Sequence, residues 1–469
     1  MRYLIIALSL LAGHAHALPD AVTQSLKGAG IPLDSVAIEV RRVDAKKSLI
    51  SLNAARALNP ASTMKLLTTY AALDLLGPAY TWKTEAYLDG ELRNGVLYGN
   101  LVLKGYGDPK LTLEQFWLWL RELRARGLHE IRGDLVLDRS FFELPQHDPA
   151  AFDNDPMRAY NVGPDALLLN FNTLHLRYLP EKNGMRIISE PALEGMKLDN
   201  RLAPPGSDAK INCDNWDDNI LVQPEGDRVI LQGGYHYDCG EREQHLSVMP
   251  HTRYVDAVFR ALWLELGGVF KGKQREGYAS AKAQLFSTHH SEPLSMIIRD
   301  INKFSNNVMA RQLFLTLGTA TGSRLDGTAA PANLGRSITV VQNWLQKQQL
   351  DFPELVLENG AGLSRNERIS ALHLAQLLQH AAAHPLSAEF EATLPILGVD
   401  GSVKKRLKAS VAAGHAHLKT GTLEGVKALA GYVRSQDSKE WVVVFLINHP
   451  NAKYGQAAQD ALIEWVQGQ

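Results

Sequence analysis

Between Ser35 and Val43 the chain reads SVAIEVRRV, apolar and polar positions alternating with the period of two that marks a half-buried strand. Asp44-Ala45-Lys46-Lys47 offers a turn and SLISL (48–52) a second strand, so this stretch predicts a hairpin. The period then changes. Residues 62–76 enter behind Asn59-Pro60-Ala61, stop at Gly77-Pro78, and carry Leu66, Leu67, Tyr70, Ala71, Leu73, Leu75 and Leu76 around the whole circumference. A helix without a polar face belongs in the interior. Near the other end, HAHLKTGT (415–422), KALAGYVRS (427–435) and EWVVVFLIN (440–448) read as three successive strands, and AAQDALIEWVQ (457–467) as a closing helix.

From residue 83 to 290 the texture differs. Short strand-like pieces alternate with turn residues, as in GVLYGNLVLKGYGDP (95–109), IRGDLVLDRSFF (131–142) and DRVILQGGYHYD (227–238). Helical periodicity returns at 113–127 and 254–268, and LDNRLAPPGSDAK (198–210) reads as a surface loop. The pattern predicts one or two β-rich domains inserted into an outer domain built from both ends of the chain.

Composition excludes several classes. With 45% hydrophobic and 21% charged residues over 469 positions, disorder and coiled coil are poor descriptions. Lys plus Arg (49) balances Asp plus Glu (50), so no basic excess points to nucleic acid or an anionic membrane. The 16 histidines show no HExxH spacing and there is no Walker or dinucleotide glycine pattern, so neither a metal nor an organic cofactor is implied. Met1-Arg2-Tyr3, the apolar LIIALSLLAG and Ala15-His16-Ala17 match a secretory signal peptide (1–17) with the mature chain starting near Leu18. Export makes Cys213 and Cys239 a candidate disulfide, two buried thiols being the alternative.

Three short motifs carry candidate chemistry. In Ser62-Thr63-Met64-Lys65, residues three apart share a helix face, so hydroxyl and amine come within hydrogen-bond reach. Burial lowers a lysine's pKa, and a neutral amine beside a serine is a general base beside a nucleophile. The same spacing recurs at Ser207-Lys210 and Ser402-Lys405, where chance or solvated faces explain it, and for Ser62 the alternative is an N-cap with Lys65 reaching solvent. Lys419-Thr420-Gly421-Thr422, on a predicted strand, would set a cation, a hydroxyl and a bare backbone along a sheet edge where a substrate strand could lie; the alternative is ordinary edge protection. Ser305-Asn306-Asn307 precedes a helical run, and its alternative is a polar turn; Ser-x-Asn also occurs at Ser51 and Ser364.

The order Ser-x-x-Lys, Ser-x-Asn, Lys-Thr-Gly is that of β-lactamases and penicillin-binding proteins. With GNLVLKGYGDPKLT (99–112), GDLVLDRSFF (133–142), PDALLLNFN (164–172), ENGAGLSRNERIS (358–370) and LPILGVDGSVKKRL (394–407), nearly the whole mature chain resembles the class C low-molecular-mass penicillin-binding proteins, the D-alanyl-D-alanine carboxypeptidase/endopeptidases. The long interval from Ser62 to Ser305 also resembles that family and not compact β-lactamases.

The resemblance implies an α+β fold: a split transpeptidase-like domain (18–82 and 290–469) with a five-stranded antiparallel sheet, an inserted domain II (83–172 and 246–289) and an inserted domain III (173–245). It implies a periplasmic serine peptidase for peptidoglycan stem peptides, inhibited by β-lactams, with a homodimer and peripheral membrane contact left open. Ser62 would be the nucleophile and neutral Lys65 its base, and the N–H groups of Ser62 and Thr422 the oxyanion hole. Ser305 with cationic Lys419 would pass a proton to the departing amine, and Asn307 would orient Lys65. Thr420, Gly421 and Thr422 would receive the substrate, its terminal carboxylate meeting the two hydroxyls. Asp138 is expected to meet the amino group of a diaminopimelate side chain. The segment SVKKRLK (402–408) is expected to be a solvated helix face or a loop near the site, without a role. Rival readings are a serine β-lactamase or esterase and a non-catalytic peptidoglycan-binding scaffold.

Overall fold

A computed structural model describes residues 18–182, 184–204, 212–319 and 330–469; the expected signal peptide lies outside them. The hairpin forms as β1 (Val36–Arg42) and β2 (Ser48–Leu52), and the C-terminal strands as β3 (Ala416–Leu423), β4 (Val426–Arg434) and β5 (Glu440–Asn448). They make one antiparallel sheet in the order β3-β4-β5-β1-β2, so the chain ends close around each other. Strand periodicity decides which core each residue joins. Ala428, Ala430 and Tyr432 of β4 with Val442, Val444 and Leu446 of β5 face one helical layer. Leu429 and Val433 with Val443, Phe445 and Ile447 face another, containing the closing helix Gln456–Gln467. Buried on both sides, β5 is therefore an unbroken apolar run.

The first layer is built on the apolar helix, α1 (Lys65–Leu76), whose residues 65–73 are all buried. Against it pack α2 (Leu294–Phe304) and α3 (Asn307–Leu317). Gly77, with φ of 81°, ends α1 in a conformation that only glycine adopts cheaply.

A separate core occupies the middle of the chain, from Ala86 to Trp263, beneath three β-sheets and the helices Leu113–Ala125 and His251–Glu265. Within it Cys213 and Cys239 are disulfide-bonded. The surface-loop expectation for 198–210 is corrected in part. Lys197–Ala203 is a strand, paired in parallel with Arg228–Gly234, because Leu198 and Leu202 alternate with polar residues over a sheet face. Residues 205–211 lie outside the described chain.

Two adjacent residues of α3 hold this region to the first. Gln312, fully buried, exchanges hydrogen bonds with the backbone of Asp165 (2.9 and 2.8 Å), and Arg311 donates to the Val162 carbonyl (3.1 Å). Among the described residues no helix is long and apolar enough to cross a membrane.

Candidate active site

The segment before α1 is shaped by its own polar groups. Asn59 accepts from the Ala61 N–H (2.9 Å) and donates to the Ser364 carbonyl (2.8 Å). Ala61 holds a φ of 45°, a strained value for a residue with a Cβ. Ser62 follows in a single 3-10 turn, Ala61–Met64, so α1 proper starts at Lys65 and not at Ser62. Ser62 makes no capping hydrogen bond, and Lys65 is 0% exposed, so neither alternative reading of this motif survives.

Lys65 Nζ lies 2.9 Å from Ser62 Oγ, 2.6 Å from Asn307 Oδ1 and 2.5 Å from the Ala361 carbonyl oxygen. Burial pushes its pKa well below the usual 10.5; nearby Lys419 and Arg311 push the same way, and Glu367 opposes them. A neutral amine has two protons and one lone pair. The Ala361 and Asn307 oxygens can only accept, so they take both protons. The lone pair is left facing Ser62, whose hydroxyl must then donate to it. The three contacts thus define a base aimed at one proton.

Asn307 arrives from the first residue of α3, whose start is capped by the Asn306 side chain accepting from the Met309 N–H (3.0 Å). Just before it, Ser305 takes a left-handed φ of 57°, which ends α2 and turns its hydroxyl toward β3. There Lys419 Nζ donates to Ser305 Oγ (2.8 Å) and to the Thr420 carbonyl (2.8 Å). Lys419 is 0% exposed, and burial brings its pKa down to about 7. Near neutral pH this amine can therefore both give and take a proton.

β3 is an edge strand, as the Lys-Thr-Gly pattern predicts. Alternation puts Lys419 and Gly421 on one face and Thr420 and Thr422 on the other. The reason for glycine differs from the expectation. A Cβ on Gly421 would lie 2.8 Å from the Ser62 nitrogen and 2.9 Å from the Pro60 oxygen, so the space is needed by the chain's own backbone. Gly362 clears the opposite approach: its Cβ would fall 1.9 Å from the Ala61 oxygen, and its φ is 78°.

The structure thus brings Ser62, Lys65, Ser305, Asn307 and Lys419 into one hydrogen-bonded cluster at the β3 edge. Asp138 is not part of it. It is 1% exposed, with Ser140 donating to it through N–H (3.1 Å) and hydroxyl (2.6 Å) and Lys104 Nζ 3.4 Å away. Three residues without a predicted role join the site. The Ala361 carbonyl is one. Glu367 is another: its buried Oε1 accepts from the N–H groups of Glu358 (3.1 Å), Asn359 (2.9 Å) and Gly360 (2.9 Å), fixing the turn that presents Ala361. Ser402 is the third, its hydroxyl 2.8 Å from that of Thr420. The paired glycines at 360 and 362 are a sequence sign of close backbone approach that could have pointed to Ala361; Glu367 and Ser402 sit in polar runs that give no such sign.

Known proteins are similar to this chain along most of its length. The model of the D-Ala-D-Ala carboxypeptidase 3 (S13) family matches residues 18–469. D-alanyl-D-alanine carboxypeptidase DacB of Haemophilus influenzae is 27% identical over 418 residues, 88% of this chain and 85% of its own. The D-alanyl-D-alanine carboxypeptidase of Actinomadura sp. (strain R39) is 28% identical over 433 residues, 89% of this chain and 78% of its own. The crystal structure of penicillin binding protein 4 (dacB) from Haemophilus influenzae superimposes with a TM-score of 0.78 at 24% identity, covering 94% of this chain and 99% of that one. It has also been solved complexed with a β-lactam. Likeness along the whole length from Leu18, together with a buried lysine hydrogen-bonded to a serine beside the edge of an antiparallel sheet, leaves one assignment: the chain belongs to the D-Ala-D-Ala carboxypeptidase 3 (S13) family and is a serine D,D-peptidase.

Proposed function

We propose that Ser62 is the nucleophile and Lys65 the general base that activates it. The observation that carries this reading is the set of three oxygen neighbours around Lys65 Nζ, two of which can only accept. Ser62 Oγ forms a bond to the carbonyl carbon of the penultimate D-alanine while its proton passes to Lys65. Negative charge collects on the carbonyl oxygen, stabilised by the N–H groups of Ser62 and Thr422, an effect that commonly contributes a few kcal/mol, roughly 2.7–4 for one donor. The C–N bond then breaks. The departing amine takes a proton from Ser305, which recovers one from Lys419; a pKa of about 7 suits that exchange. Asn307 holds Lys65, and Thr420 and Thr422 receive the terminal carboxylate. Water then attacks the ester carbonyl, its proton passing through Ser305 to refill Lys419, and as the ester C–O bond breaks Lys65 returns its proton to Ser62.

The same chemistry extends to D,D-endopeptidase cleavage of cross-links, whose scissile bond also follows a D-alanine. β-Lactams acylate Ser62 and stay, because ring opening leaves the amine tethered beside the ester and water cannot take its place. The reading divides the chain into a catalytic domain (18–82 and 290–469), domain II (83–172 and 246–289) and domain III (173–245), in a periplasmic enzyme. Asp138, committed to Lys104 and Ser140, has a structural role in it.

Wild type and Ser62→Ala are incubated with muropeptides and labelled penicillin, and D-alanine release and covalent labelling are followed together. Wild type should do both and Ser62→Ala neither. Labelling that persists in Ser62→Ala overturns the assignment, and rapid penicillin turnover without a lasting adduct favours a β-lactamase.

A further inference from the structure

Ser402 was set aside in the sequence as one end of a chance Ser-x-x-Lys, yet the chain holds it in place by several independent means. The segment before it runs along the outer edge of β3: Leu397 N–H donates to the Ala416 carbonyl (2.9 Å) and Leu418 N–H to the Pro395 carbonyl (2.8 Å). The two run antiparallel, so the segment meets the edge beside Leu418 and leaves it after Leu397, and among the described residues its backbone bonds reach no further toward Lys419-Thr420-Gly421-Thr422. It turns away through Asp400, which accepts from the Ile396 N–H (2.7 Å) and from Lys303 Nζ (2.7 Å), a lysine only 3% exposed. Gly401 follows with φ of 58°, where a Cβ would lie 2.8 Å from the Lys303 carbonyl oxygen. Val403, 0% exposed, anchors the far side in the core. Between these two fixed points Ser402 is exposed, with its hydroxyl 2.8 Å from Thr420 Oγ1.

Each hydroxyl of that pair has one proton. If Thr420 donates to Ser402, Thr420 has none left for a ligand. If Ser402 donates to Thr420, the Thr420 proton is free to turn outward, and the Ser402 bond strengthens the one Thr420 makes in turn. A carboxylate only accepts, so its arrival selects the second arrangement. We propose that Ser402 is a positioning residue for substrate recognition: by donating to Thr420 Oγ1 it turns the Thr420 hydroxyl into a donor for the C-terminal carboxylate of the stem peptide. This rests on the peptidase reading above and names which group orients its carboxylate site.

The test compares two acyl-D-alanyl thioesters that differ only in whether the leaving group carries a carboxylate. For Ser402→Ala, kcat/KM should fall about tenfold more on the carboxylate-bearing thioester than on its partner, the size expected for a hydrogen bond feeding a charged group. Ser402→Thr, which keeps the hydroxyl, should restore most of the loss. Because Ser402 acts through Thr420, the double variant Ser402→Ala/Thr420→Ala should be no worse on the carboxylate-bearing thioester than Thr420→Ala alone. Equal losses on both thioesters, no recovery in Ser402→Thr, or additive losses in the double variant would each overturn the proposal. If wild type itself neither turns over the thioesters nor is labelled at Ser62, the peptidase reading fails; a wild type that does both, with an unmoved ratio in Ser402→Ala, removes only the role of Ser402.

Discussion

On the floor of the catalytic cleft, Lys65 and Lys419 are both completely buried, and among the described residues neither makes an ion pair. Among the described residues of the inserted region, three of the four buried carboxylates do the opposite, Asp108 being the exception. Glu85 accepts from Lys83 (2.7 Å), Tyr87 (2.6 Å) and Tyr106 (2.6 Å), Asp165 pairs with Arg139, and Asp138 lies 3.4 Å from Lys104. A buried charge that meets its counter-charge stays charged and serves packing. A buried lysine that meets only carbonyls and hydroxyls holds its proton less tightly, which lowers stability and makes it available for proton transfer. The contrast separates residues arranged for chemistry from residues arranged for structure, although all are polar groups in an apolar interior.

The contrast can be broken most severely at Lys65. Lys65→Met should slow acylation of Ser62 by labelled penicillin by about 10²–10⁴-fold, the range for losing a positioned general base. Gly421→Ala comes next. The new Cβ must displace the Ser62 backbone from 2.8 Å, and acylation should fall by roughly 10²-fold through misplacement alone while the melting curve changes much less. At Lys419 the prediction concerns stability. Its folded pKa of about 7 lies below the usual 10.5, so between those values the unfolded chain binds more protons than the folded one and stability rises with pH. The contribution of the neutral amine is full above 10.5 and is lost as pH falls toward 7. Lys419→Met should flatten that slope in denaturant titrations and stabilise the protein near neutral pH by roughly 1–4 kcal/mol, while losing activity. The smallest effect on chemistry is expected at Asp138. Asp138→Asn should lower stability, by about 1–3 kcal/mol for a buried acceptor network that loses its charge, and alter acylation less than any change above. A larger effect of Asp138→Asn on acylation than on stability would move that residue to the chemical side of the contrast.

The parts of this arrangement legible in the sequence are the local ones. The helix with no polar face, the three late strands and the hairpin follow from periodicities of 3.6 and 2, and all formed, the helix starting three residues later than expected behind a 3-10 turn. Ser62 and Lys65 could be paired because one helical turn separates them. What brought Ser305 to Lys419, or Asn307 to Lys65, was only the order of three weak motifs, since contacts so distant in sequence leave no periodic trace. The roles of Glu367 and Ser402 were not legible, although the segment of Ser402 was expected near the site. Their roles come from accepting backbone N–H groups of a turn and from meeting a strand far along the chain, and neither leaves a pattern in neighbouring residues. The strand at 197–203 was missed for a related reason: its partner in the parallel pair lies beyond a long connection, and Pro204-Pro205-Gly206 after it reads as loop.

The central claim, that Lys65 is a neutral base aimed at Ser62, is tested most directly by the second-order rate of penicillin acylation as a function of pH in wild type. If burial holds Lys65 deprotonated, the rate should reach its plateau well below the usual lysine value of 10.5 and stay flat as the pH rises toward it. A rate that keeps climbing tenfold per pH unit toward 10.5 would mean that Lys65 is an ordinary ammonium at neutral pH, and would contradict the account.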